Sequence, residues 1–561
     1  MATRKIVILG GGVAGMSAAH ELIERSGDAV AFDIHVYEKR EHTTGGKARS
    51  VPVPGSATGG RDPLPGEHGF RFFPGFYKHL PNTMQRIPYG PNSGNGASVF
   101  DNLVVAERLE VARFDQGPIT ISSRFPRDLS DLVTDFEAMF SDTELLPGEA
   151  TFFAERLWQV LTSCQARRLA QYELMTWWDY LEADDHSEAY RNLLVDGLSR
   201  SLLANDPVHA SVRTVGDTNI QLILGMLEPG QATDRLLNGP TSKVWLDPWR
   251  VHLEGLGVTF HLGEMAEQFG IVDGAVTSVQ VFGAGGASEV TGDAYVFALP
   301  VERMATLITR SASGPGDPLK GDPAMAGIMA VAPNVRWMNG IQFFLFEDVP
   351  ITHGHVLYSD SPWAVTSISE AQFWADEHLP GCGDGTVRGI LSACISCWTA
   401  PGIVYGKTAL ECSREEIAAE VWAQIKKSVN VAGKMILEDS NVHSHFLDPD
   451  LVQHPDGTIH LTDAEPLFVN FIDSWKSRPE AVCQTGNMFL ASDYVRTFTD
   501  VACMEAANEA ARRAVNGMLE LFGSSAEPCE LWPLHEPMIF APFRWHDQRR
   551  FDQGLPWDGH I

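Results

Sequence analysis

The most constraining feature of this 561-residue sequence is a glycine-rich turn between a short apolar run and a helical segment near its start. Residues 5–9 (KIVIL) form a continuous run rich in β-branched side chains, which favours a buried parallel strand. Gly10, Gly12 and Gly15 follow in the spacing GxGxxG, and a helix is predicted over roughly residues 15–25. Strand, turn and helix in this order predict a dinucleotide-binding βαβ unit of Rossmann type.

Each glycine of this turn has a distinct role in such a unit. Gly10 permits the tight turn, Gly12 lets the backbone approach a pyrophosphate, and Gly15 lets the helix pack closely on the strand. The start of the helix, with Val13 and Ala14, presents free N–H groups and the positive end of its dipole to the phosphate. These five residues are therefore predicted to bind the cofactor.

A second strand and a second pair of glycines bear on which dinucleotide binds. Residues 33–37 (DIHVY) form a predicted strand that ends in Glu38, beside Lys39. An acid at this distance from the glycines suits a ribose diol and disfavours the 2′-phosphate of NADP, which leaves NAD or FAD. A few residues later GGKAR offers backbone amides and positive charge to a diphosphate, and this second contact favours extended FAD. The residues of that motif are Gly45, Gly46, Lys47, Ala48 and Arg49.

Two further stretches carry a family resemblance. Residues 66–77 (GEHGFRFFPGFY) and 487–504 (NMFLASDYVRTFTDVACM) are similar to segments of the flavin amine oxidase superfamily, and within it of the phytoene-desaturase-like branch. That branch includes carotenoid desaturases, hydroxysqualene dehydroxylase and flavoenzymes of polycyclic tetramate macrolactam biosynthesis. Ser492 and Ala506 stand where the family has glycine. The resemblance implies FAD as the cofactor and an FAD-dependent oxidoreductase as the activity.

The resemblance also implies roles for individual residues. It places residues 69–71 (Gly69, Phe70 and Arg71) along the isoalloxazine, Asp493 beside the ribityl–phosphate portion and Ala266 near the adenine. The start of the C-terminal helix then faces the pyrimidine end of the ring, where a helix dipole stabilises negative charge on the reduced flavin. The residues of that helix start are Ala502, Cys503 and Met504.

Four side chains are candidates for catalysis, namely His68, Arg71, Trp363 and Trp475. Flavin chemistry needs few side chains because the cofactor itself accepts the hydride. His68 is positioned to act as a general base, with a structural histidine as the alternative, and Arg71 to polarise an oxygen or neutralise reduced flavin. The two tryptophans follow strand-like runs and suit a cage wall, although large aromatics are also common core residues. No metal site is predicted.

The order of the segments predicts an α/β chain with a discontinuous cofactor domain. A Rossmann-type FAD-binding domain of the GR2, amine-oxidase-like type carries an inserted α+β substrate domain, and a Pro- and aromatic-rich tail packs over the body. The inserted domain is predicted to contain helices at 151–170 and 173–182. The predicted bounds are 1–100, 250–310 and 471–525 for the FAD-binding domain, 101–249 and 311–470 for the substrate domain, and 526–561 for the tail.

Composition narrows the partners and the location. A net charge of −30 repels phosphate groups, so a nucleic-acid partner is not expected. Eight cysteines are too few for a disulfide framework, and the first residues lack the apolar segment of a signal peptide, so a cytoplasmic location is predicted. Peripheral contact with a membrane remains open.

Three functions remain at this point. The leading hypothesis is hydride transfer to or from an apolar small-molecule substrate, a long polyene, an isoprenoid-like molecule or a polyene macrolactam. Desaturation, dehydroxylation and redox cyclisation all fit, with an external electron donor or acceptor such as NADPH, a quinone or oxygen. The alternatives are a flavin amine oxidase and a non-catalytic FAD-binding module.

Overall fold

The computed structural model describes residues 2–27, 30–90, 96–122, 143–201, 205–227, 234–312, 316–375, 377–457, 459 and 465–560. Its described strands are β1 Ala2–Leu9, β2 Val30–Glu38, β3 Ser50–Pro52, β4 Pro65–Glu67, β5 Leu103–Val105, β6 Arg108–Arg113, β7 Gln116–Ser122, β8 Arg235–Leu237, β9 Thr259–Leu262, β10 Met265–Val272, β11 Ala275–Gly283, β12 Gly286–Val290, β13 Ala294–Phe297, β14 Val335–Arg336, β15 Asn339–Leu345, β16 Gly354–Tyr358, β17 Val365–Ser369, β18 Gly389–Ile395, β19 Val442–Leu447, β20 Leu467–Phe468 and β21 Met488–Leu490. Its described α-helices are α1 Val13–Glu24, α2 His79–Gln85, α3 Glu149–Thr162, α4 Gln165–Ala170, α5 Trp177–Tyr180, α6 Glu188–Tyr190, α7 Val212–Leu227, α8 Asp247–Gly255, α9 Val301–Ser311, α10 Pro318–Gly321, α11 Pro323–Val331, α12 Arg414–Val429, α13 Met504–Leu521 and α14 Ala541–Asp552.

A five-stranded parallel sheet, in the order β21-β13-β1-β2-β9, forms the first layer. The central strand β1 contains the apolar run predicted from the sequence, and its residues 6–9 are fully buried. Leu9 lies level with Phe297 of β13 and Tyr37 of β2, so the carboxyl ends of these strands meet at one edge. Strands from three distant parts of the chain therefore build one sheet edge.

Helix α1 packs against α13 on one side, and on the other side Gly15 lets it lie close to β1 and the glycine turn. A Cβ atom at Gly15 would lie 1.9 Å from the carbonyl oxygen of Gly10, a distance that no side chain tolerates. The turn therefore requires glycine here for reasons of packing, as the sequence pattern predicts.

The second large sheet has seven strands in the order β19-β15-β18-β17-β16-β6-β7 and is antiparallel except where β16 pairs with β6. Alternate residues of β18 face opposite sides, as a pleated strand requires. Leu391, Ala393 and Ile395 join the core that α12 covers, whereas Cys394 faces the first sheet. One face of this second sheet is therefore turned towards the five-stranded sheet.

The helical segments of the inserted region differ from the prediction. The helix predicted over 151–170 breaks at Ser163 into α3 and α4, because Cys164 caps α4 with its sulfur. The helix predicted over 173–182 consists of a 3-10 turn at Tyr172–Leu174 and the short α5. Thr176 caps α5 by accepting a hydrogen bond from the N–H of Asp179, which starts a new turn and interrupts the longer pattern.

Across the described ranges, no helix combines the length and the apolar character that a membrane crossing requires.

Candidate functional site

A cavity of about 370 Å³ runs along the carboxyl edge of the five-stranded sheet and reaches the seven-stranded sheet. Its walls include the residues that follow β1, β2, β13 and β21, such as Gly10, Glu38, Ala298 and Asp493. The crevice outside the carboxyl ends of parallel strands is where α/β sheets of this kind bind ligands. Sheet topology alone therefore marks this cavity as the candidate site.

Two glycine turns meet at the centre of this cavity. Gly12 and Gly45 form an isolated parallel backbone bridge, and the N–H of Gly45 donates to the carbonyl of Gly11 at 2.7 Å. Gly45 and Gly46 adopt positive φ angles of 94° and 57°. A Cβ at Gly12 would have the Cα of Gly46 as its nearest neighbour, at 3.7 Å, so the space beside Gly12 is open on the cavity side. The two turns form a side-chain-free cradle that suits a diphosphate.

Glu38 is held at the end of β2 by two backbone amides. Its Oε2 accepts from the N–H of Gly11 at 2.9 Å, and its Oε1 accepts from the N–H of Arg40 at 3.0 Å. The carboxylate is thus fixed beside the glycine turn and lines the cavity. A fixed carboxylate with free lone pairs is suited to accept from a ribose diol.

The N-terminus of α13 closes the other end of the cavity. Ala502, Cys503 and Met504 line the wall, and Cys503 is the N-cap, whose sulfur accepts from the N–H of Ala506. Burial raises the pKa of the Cys503 thiol to about 12, so it is neutral near pH 7, and Tyr77 contacts it by a hydrogen bond. The positive end of the α13 dipole therefore points into the cavity, where it favours negative charge.

His68 and Asp448 form a buried pair at the cavity wall. The Nδ1 of His68 hydrogen-bonds the Oδ2 of Asp448, and the buried Nε2 has no partner within the described part of the chain. Burial alone would raise the pKa of Asp448, but His68 and Arg49 outweigh it and hold that pKa below its usual value. An ionised Asp448 favours the Nδ1–H tautomer, which leaves Nε2 as a free acceptor at the cavity.

Arg71 joins the two predicted cofactor segments. Its guanidinium donates to the carbonyls of Gly69 at 2.5 Å and Phe70 at 3.1 Å, and to the carbonyl of Lys47 in the GGK turn. The same side chain lines the cavity. Arg71 thus brings a positive charge to the wall and fixes the turn around it.

Most of the predicted site residues come together on this one cavity. The predicted residues that line it are Gly10, Gly12, Val13, Ala14, Glu38, Lys39, Gly45, Gly46, Lys47, Ala48, His68, Gly69, Phe70, Arg71, Ala266, Asp493, Ala502, Cys503 and Met504.

Two predicted cofactor residues lie behind the lining. Gly15 packs under the first turn. Arg49 is 1% exposed and pairs with Asp450 and with Glu465, at 2.8 Å from the latter, so its charge is already neutralised within the protein. Lys47 lines the cavity, but its Nζ donates to the carbonyl of Pro466 and lies 3.5 Å from Glu302. The backbone of the GGK turn, more than its side-chain charge, is what faces the cavity.

The prediction that Trp363 and Trp475 form a cage wall is wrong. Trp363 is fully buried under α12, with its N–H pointing at the carbonyl of Ala400 at 3.0 Å, on the face of the second sheet opposite the cavity. Trp475 lies against arginines, with the guanidinium of Arg213 4.0 Å from its ring centroid. Both aromatics stabilise packing, which is the alternative that the sequence left open.

Several lining residues were missed by the sequence analysis. Cys394 belongs to the second sheet, Met338 directly precedes its strand β15, and Glu302 and Arg303 lie in the first turn of α9. Asp448, the partner of His68, lies 380 residues further along the chain. None of these residues stands in a motif, whereas missed lining residues such as Phe72, Phe76 and Tyr77 lie inside the quoted 66–77 stretch and so had a local signal.

Comparisons with known proteins agree with this architecture. A family model for an NAD(P)-binding Rossmann-like domain matches residues 8–87, whereas no curated protein matches the chain. Among solved structures, the chain is similar to an oxidoreductase from Methanosarcina mazei, at 12% identity over 92% of this chain and 100% of that chain, with a TM-score of 0.56. It is also similar to cyclohexylamine oxidase from Brevibacterium oxydans IH-35A (12% identity, 93% and 99% covered, TM-score 0.59). Putrescine oxidase solved with putrescine is similar too (13% identity, 92% and 99% covered, TM-score 0.56).

These comparisons confirm the predicted fold class, a Rossmann-type α/β dinucleotide-binding domain joined to a large second domain. The predicted dinucleotide cofactor fits the site on structural grounds as well. The cradle at Gly12, the fixed carboxylate at Glu38 and the helix start at Cys503 line one cavity, and they suit the diphosphate, the ribose and the flavin ring of FAD, respectively.

Proposed function

We propose that this protein is an FAD-dependent oxidoreductase that transfers hydride to or from an apolar, unsaturated small molecule of polyene, isoprenoid or polyene-macrolactam type. The cradle of Gly12 and Gly46 would hold the diphosphate, Glu38 the ribose, and the start of α13 the pyrimidine end of the ring. FAD supplies the hydride chemistry when it is bound. The remaining tasks, which are binding, orientation and exclusion of water, belong to the protein.

The chemistry of the cavity wall at the flavin end carries the substrate proposal. The described lining includes Phe70, Phe72, Phe76 and Met338 together with the guanidinium of Arg71. The acidic lining residues are Glu38, Glu264, Glu302, Glu465 and Asp493. Two of them already have partners within the protein, since backbone amides hold Glu38 and arginines pair with Glu465. An apolar wall with one positive charge favours an uncharged substrate and repels a protonated amine.

His68 is the side chain placed to exchange a proton with such a substrate. Its free Nε2 lies on the cavity wall, and Asp448 orients the ring. Asp448 is therefore a positioning residue that acts through His68. Arg71 favours negative charge on the reduced cofactor or on a substrate oxygen.

A catalytic cycle needs an external electron donor or acceptor to restore the cofactor. NADPH, a quinone and oxygen all suit this role, and an apolar substrate also suits peripheral contact with a membrane. The cytoplasmic location and the absence of a nucleic-acid partner belong to the same proposal.

Flavin content and ligand class test the proposal together. We expect the purified protein to be yellow, to release FAD on denaturation, and to change its flavin spectrum on titration with farnesol, squalene or retinol. Phe72→Gln should weaken these apolar ligands about tenfold, because it places an unpaired amide in the apolar wall. Phe346→Gln, at an exposed position outside the cavity, serves as the matched control. A colourless protein without FAD would contradict the proposal.

An amine oxidase is the second candidate, favoured by the likeness in fold to cyclohexylamine oxidase and putrescine oxidase. It predicts that cyclohexylamine or putrescine bleaches the flavin without oxygen and yields hydrogen peroxide with oxygen. Apolar ligands would then leave the spectrum unchanged. The opposite pattern, with spectral changes from apolar ligands alone, supports the hydride-transfer proposal.

A further inference from the structure

Two buried carboxyl groups lie directly behind the flavin end of the cavity. Glu67 ends β4 and is 2% exposed, and Glu370 follows β17 and is 6% exposed. Each has one oxygen, Oε2, without a hydrogen-bond partner among the described residues. Charged groups in such surroundings are costly unless they are paired or protonated.

Both carboxyls line a second, smaller cavity beside the main site. It measures about 20 Å³ and is lined by Glu67, Glu370, Arg71 and Phe70, together with apolar residues and Thr241. A buried water needs about 10–15 Å³ on this measure and two or more polar partners, so this cavity has room for one. Arg71 and Phe70 line both cavities, so they form the partition between them.

The polar contacts of the pair keep both carboxyls in place. Glu67 accepts from the N–H of Thr241 at 2.9 Å. Its own N–H donates to Gln342, whose amide donates to Ser392 at 3.0 Å. Ser392 in turn hydrogen-bonds Glu370. The two acids are therefore linked through side chains of the second sheet.

The charges around the pair set how it titrates. Burial raises the pKa of Glu67 to about 7 and that of Glu370 to about 8, and the negative charge of Glu67 adds to the second effect. Arg71 opposes both shifts and is itself flanked by Arg49 and Asp448. The Cys394 thiol beside Arg71 has its pKa raised by burial to about 12, so it stays neutral. The two carboxyls titrate as a coupled unit near neutral pH.

We propose that Glu67 and Glu370, with a water molecule between them, form a proton store behind Arg71 that binds one additional proton when the flavin is reduced. The inference rests on the proposed function, because it needs negative charge to develop on the cavity side of Arg71. That charge weakens the hold of Arg71 on the carboxylates, so one carboxylate takes a proton from solvent. The step forms one O–H bond on Glu67 or Glu370 and involves no oxidation or reduction of either acid. The positive charge of the proton balances the negative charge added to the flavin.

The pH dependence of the flavin midpoint potential tests the store without any substrate. One extra proton per two electrons makes the potential fall by about 30 mV more for each tenfold drop in proton activity. In a plot of midpoint potential against pH, each protein gives one line. Between about pH 7 and 9 we expect the wild-type line to be steeper by this amount than the lines of Glu67→Gln and Glu370→Gln. Near pH 6 both acids are already protonated in the oxidised protein, so the three lines should become parallel.

Glu110→Gln is the matched control for this experiment. Glu110 is also buried, and burial raises its pKa to about 7, but it lies on β6 and lines neither cavity. Its substitution should leave the steep wild-type line unchanged. Redox difference infrared spectra give a second readout, since reduction should produce a protonated-carboxyl band that both pair variants lose and the control keeps.

The outcomes separate the two proposals. Flavin-loaded variants whose potentials follow the wild-type line at every pH, with the carboxyl band intact, overturn the proton store and leave the proposed function standing. A protein that binds no flavin overturns the proposed function and the store with it. A steep line that flattens in only one of the two variants supports the store and identifies the acid that binds the proton.

Discussion

Gly12 and Gly15, three residues apart in one turn, face different neighbours. A Cβ at Gly12 meets only the Cα of Gly46 at 3.7 Å, in ordinary contact, whereas a Cβ at Gly15 would overlap the carbonyl of Gly10. We therefore expect Gly12→Ala to fold with a melting temperature close to that of the wild-type apoprotein. Its methyl group occupies the space of the diphosphate, so FAD affinity should fall about tenfold or more.

Gly15→Ala provides the contrast in the same experiment, measured by thermal unfolding and FAD titration. The overlap forces α1 away from β1, and the expected result is a clear loss of stability with or without cofactor. Normal FAD affinity in Gly12→Ala would show that the diphosphate lies elsewhere.

The His68–Asp448 pair predicts a second effect at the level of single side chains. Asp448→Asn removes the carboxylate that fixes the orientation and the tautomer of His68. We expect the rate of flavin reduction by substrate to fall about a hundredfold with little change in FAD binding, and the pH profile of that rate to shift. Stopped-flow absorbance across pH measures both effects.

His68→Gln is the partner variant in this comparison. If Asp448 acts only through His68, the double variant should be no slower than His68→Gln alone. Additive losses in the double variant would instead give Asp448 an independent role.

The site residues that the sequence predicted correctly are those whose role depends on the local backbone conformation. The roles of Gly10, Gly12 and the GGK turn follow from the short spacing of their motifs. They can therefore be predicted without knowledge of the fold. Arg49 shows the limit of this approach, because its charge suggested a phosphate contact while Glu465, 416 residues away, already pairs with it. The burial of Trp363 under α12 was likewise decided by distant residues.

At the level of elements, one buried ion-pair cluster joins α1 to its neighbours. Glu21 of α1 is fully buried and lies 3.1 Å from Arg512 of α13 and 2.6 Å from Arg25, and it also pairs with Arg86. Burial by itself would raise the pKa of Glu21, but the three arginines lower it from 4.5 to about 2. Because the folded pKa lies below the unfolded one, the stability this gives is present above pH 4.5 and is lost as the pH falls towards 2.

Glu21→Gln should therefore lower the free energy of unfolding at neutral pH by about 3–5 kcal/mol, since it leaves Arg512 buried without its charge partner. The variant should also lose less stability than the wild type on acidification over that range. Urea unfolding at several pH values measures both. Equal acid sensitivity in the two proteins would place the responsible carboxyl elsewhere.

The elements themselves were predictable to different degrees. The strands β1 and β2 contain their predicted runs, 5–9 and 33–37, and each extends up to three residues beyond them, because apolar and β-branched runs of this length favour the interior of a sheet. The segment 173–182 was predicted as one helix, since its periodicity is helical. The capping side chain of Thr176 divides it, and a cap of this kind is not visible in a hydrophobic pattern.

At the scale of the whole molecule, the cavity lies between two sheets whose strands alternate along the chain. The cradle and the start of α13 belong to the layer of the five-stranded sheet, whereas Cys394 lies on the seven-stranded sheet and Glu370 directly follows its strand β17. Because of this topology, groups on the second sheet are placed to influence the properties of the bound cofactor. The chain as a whole carries a large negative charge, whereas Arg71 provides a local positive charge at the flavin end.

The C-terminal segment provides a last prediction at this scale. Asp547 of α14 pairs with Arg167 of α4 at 2.9 Å, with both side chains almost fully buried, and Trp557 donates to Thr162 at 3.1 Å. No residue described beyond 526 lines the main cavity. The segment should therefore support stability and leave cofactor binding alone.

Asp547→Asn separates these two properties. It leaves the buried Arg167 guanidinium without its charge partner, so the free energy of unfolding should fall by about 3–5 kcal/mol. Deletion of residues 527–561 instead exposes Arg167 to water and uncovers Trp158, which packs on Phe540 and Phe543, so the expected effect is aggregation on heating. Differential scanning calorimetry, light scattering and flavin content measure the three effects. Because α4 lies far from the cradle, both variants should retain a full complement of FAD at low temperature. A parallel loss of flavin and stability would show instead that the segment belongs to the cofactor site.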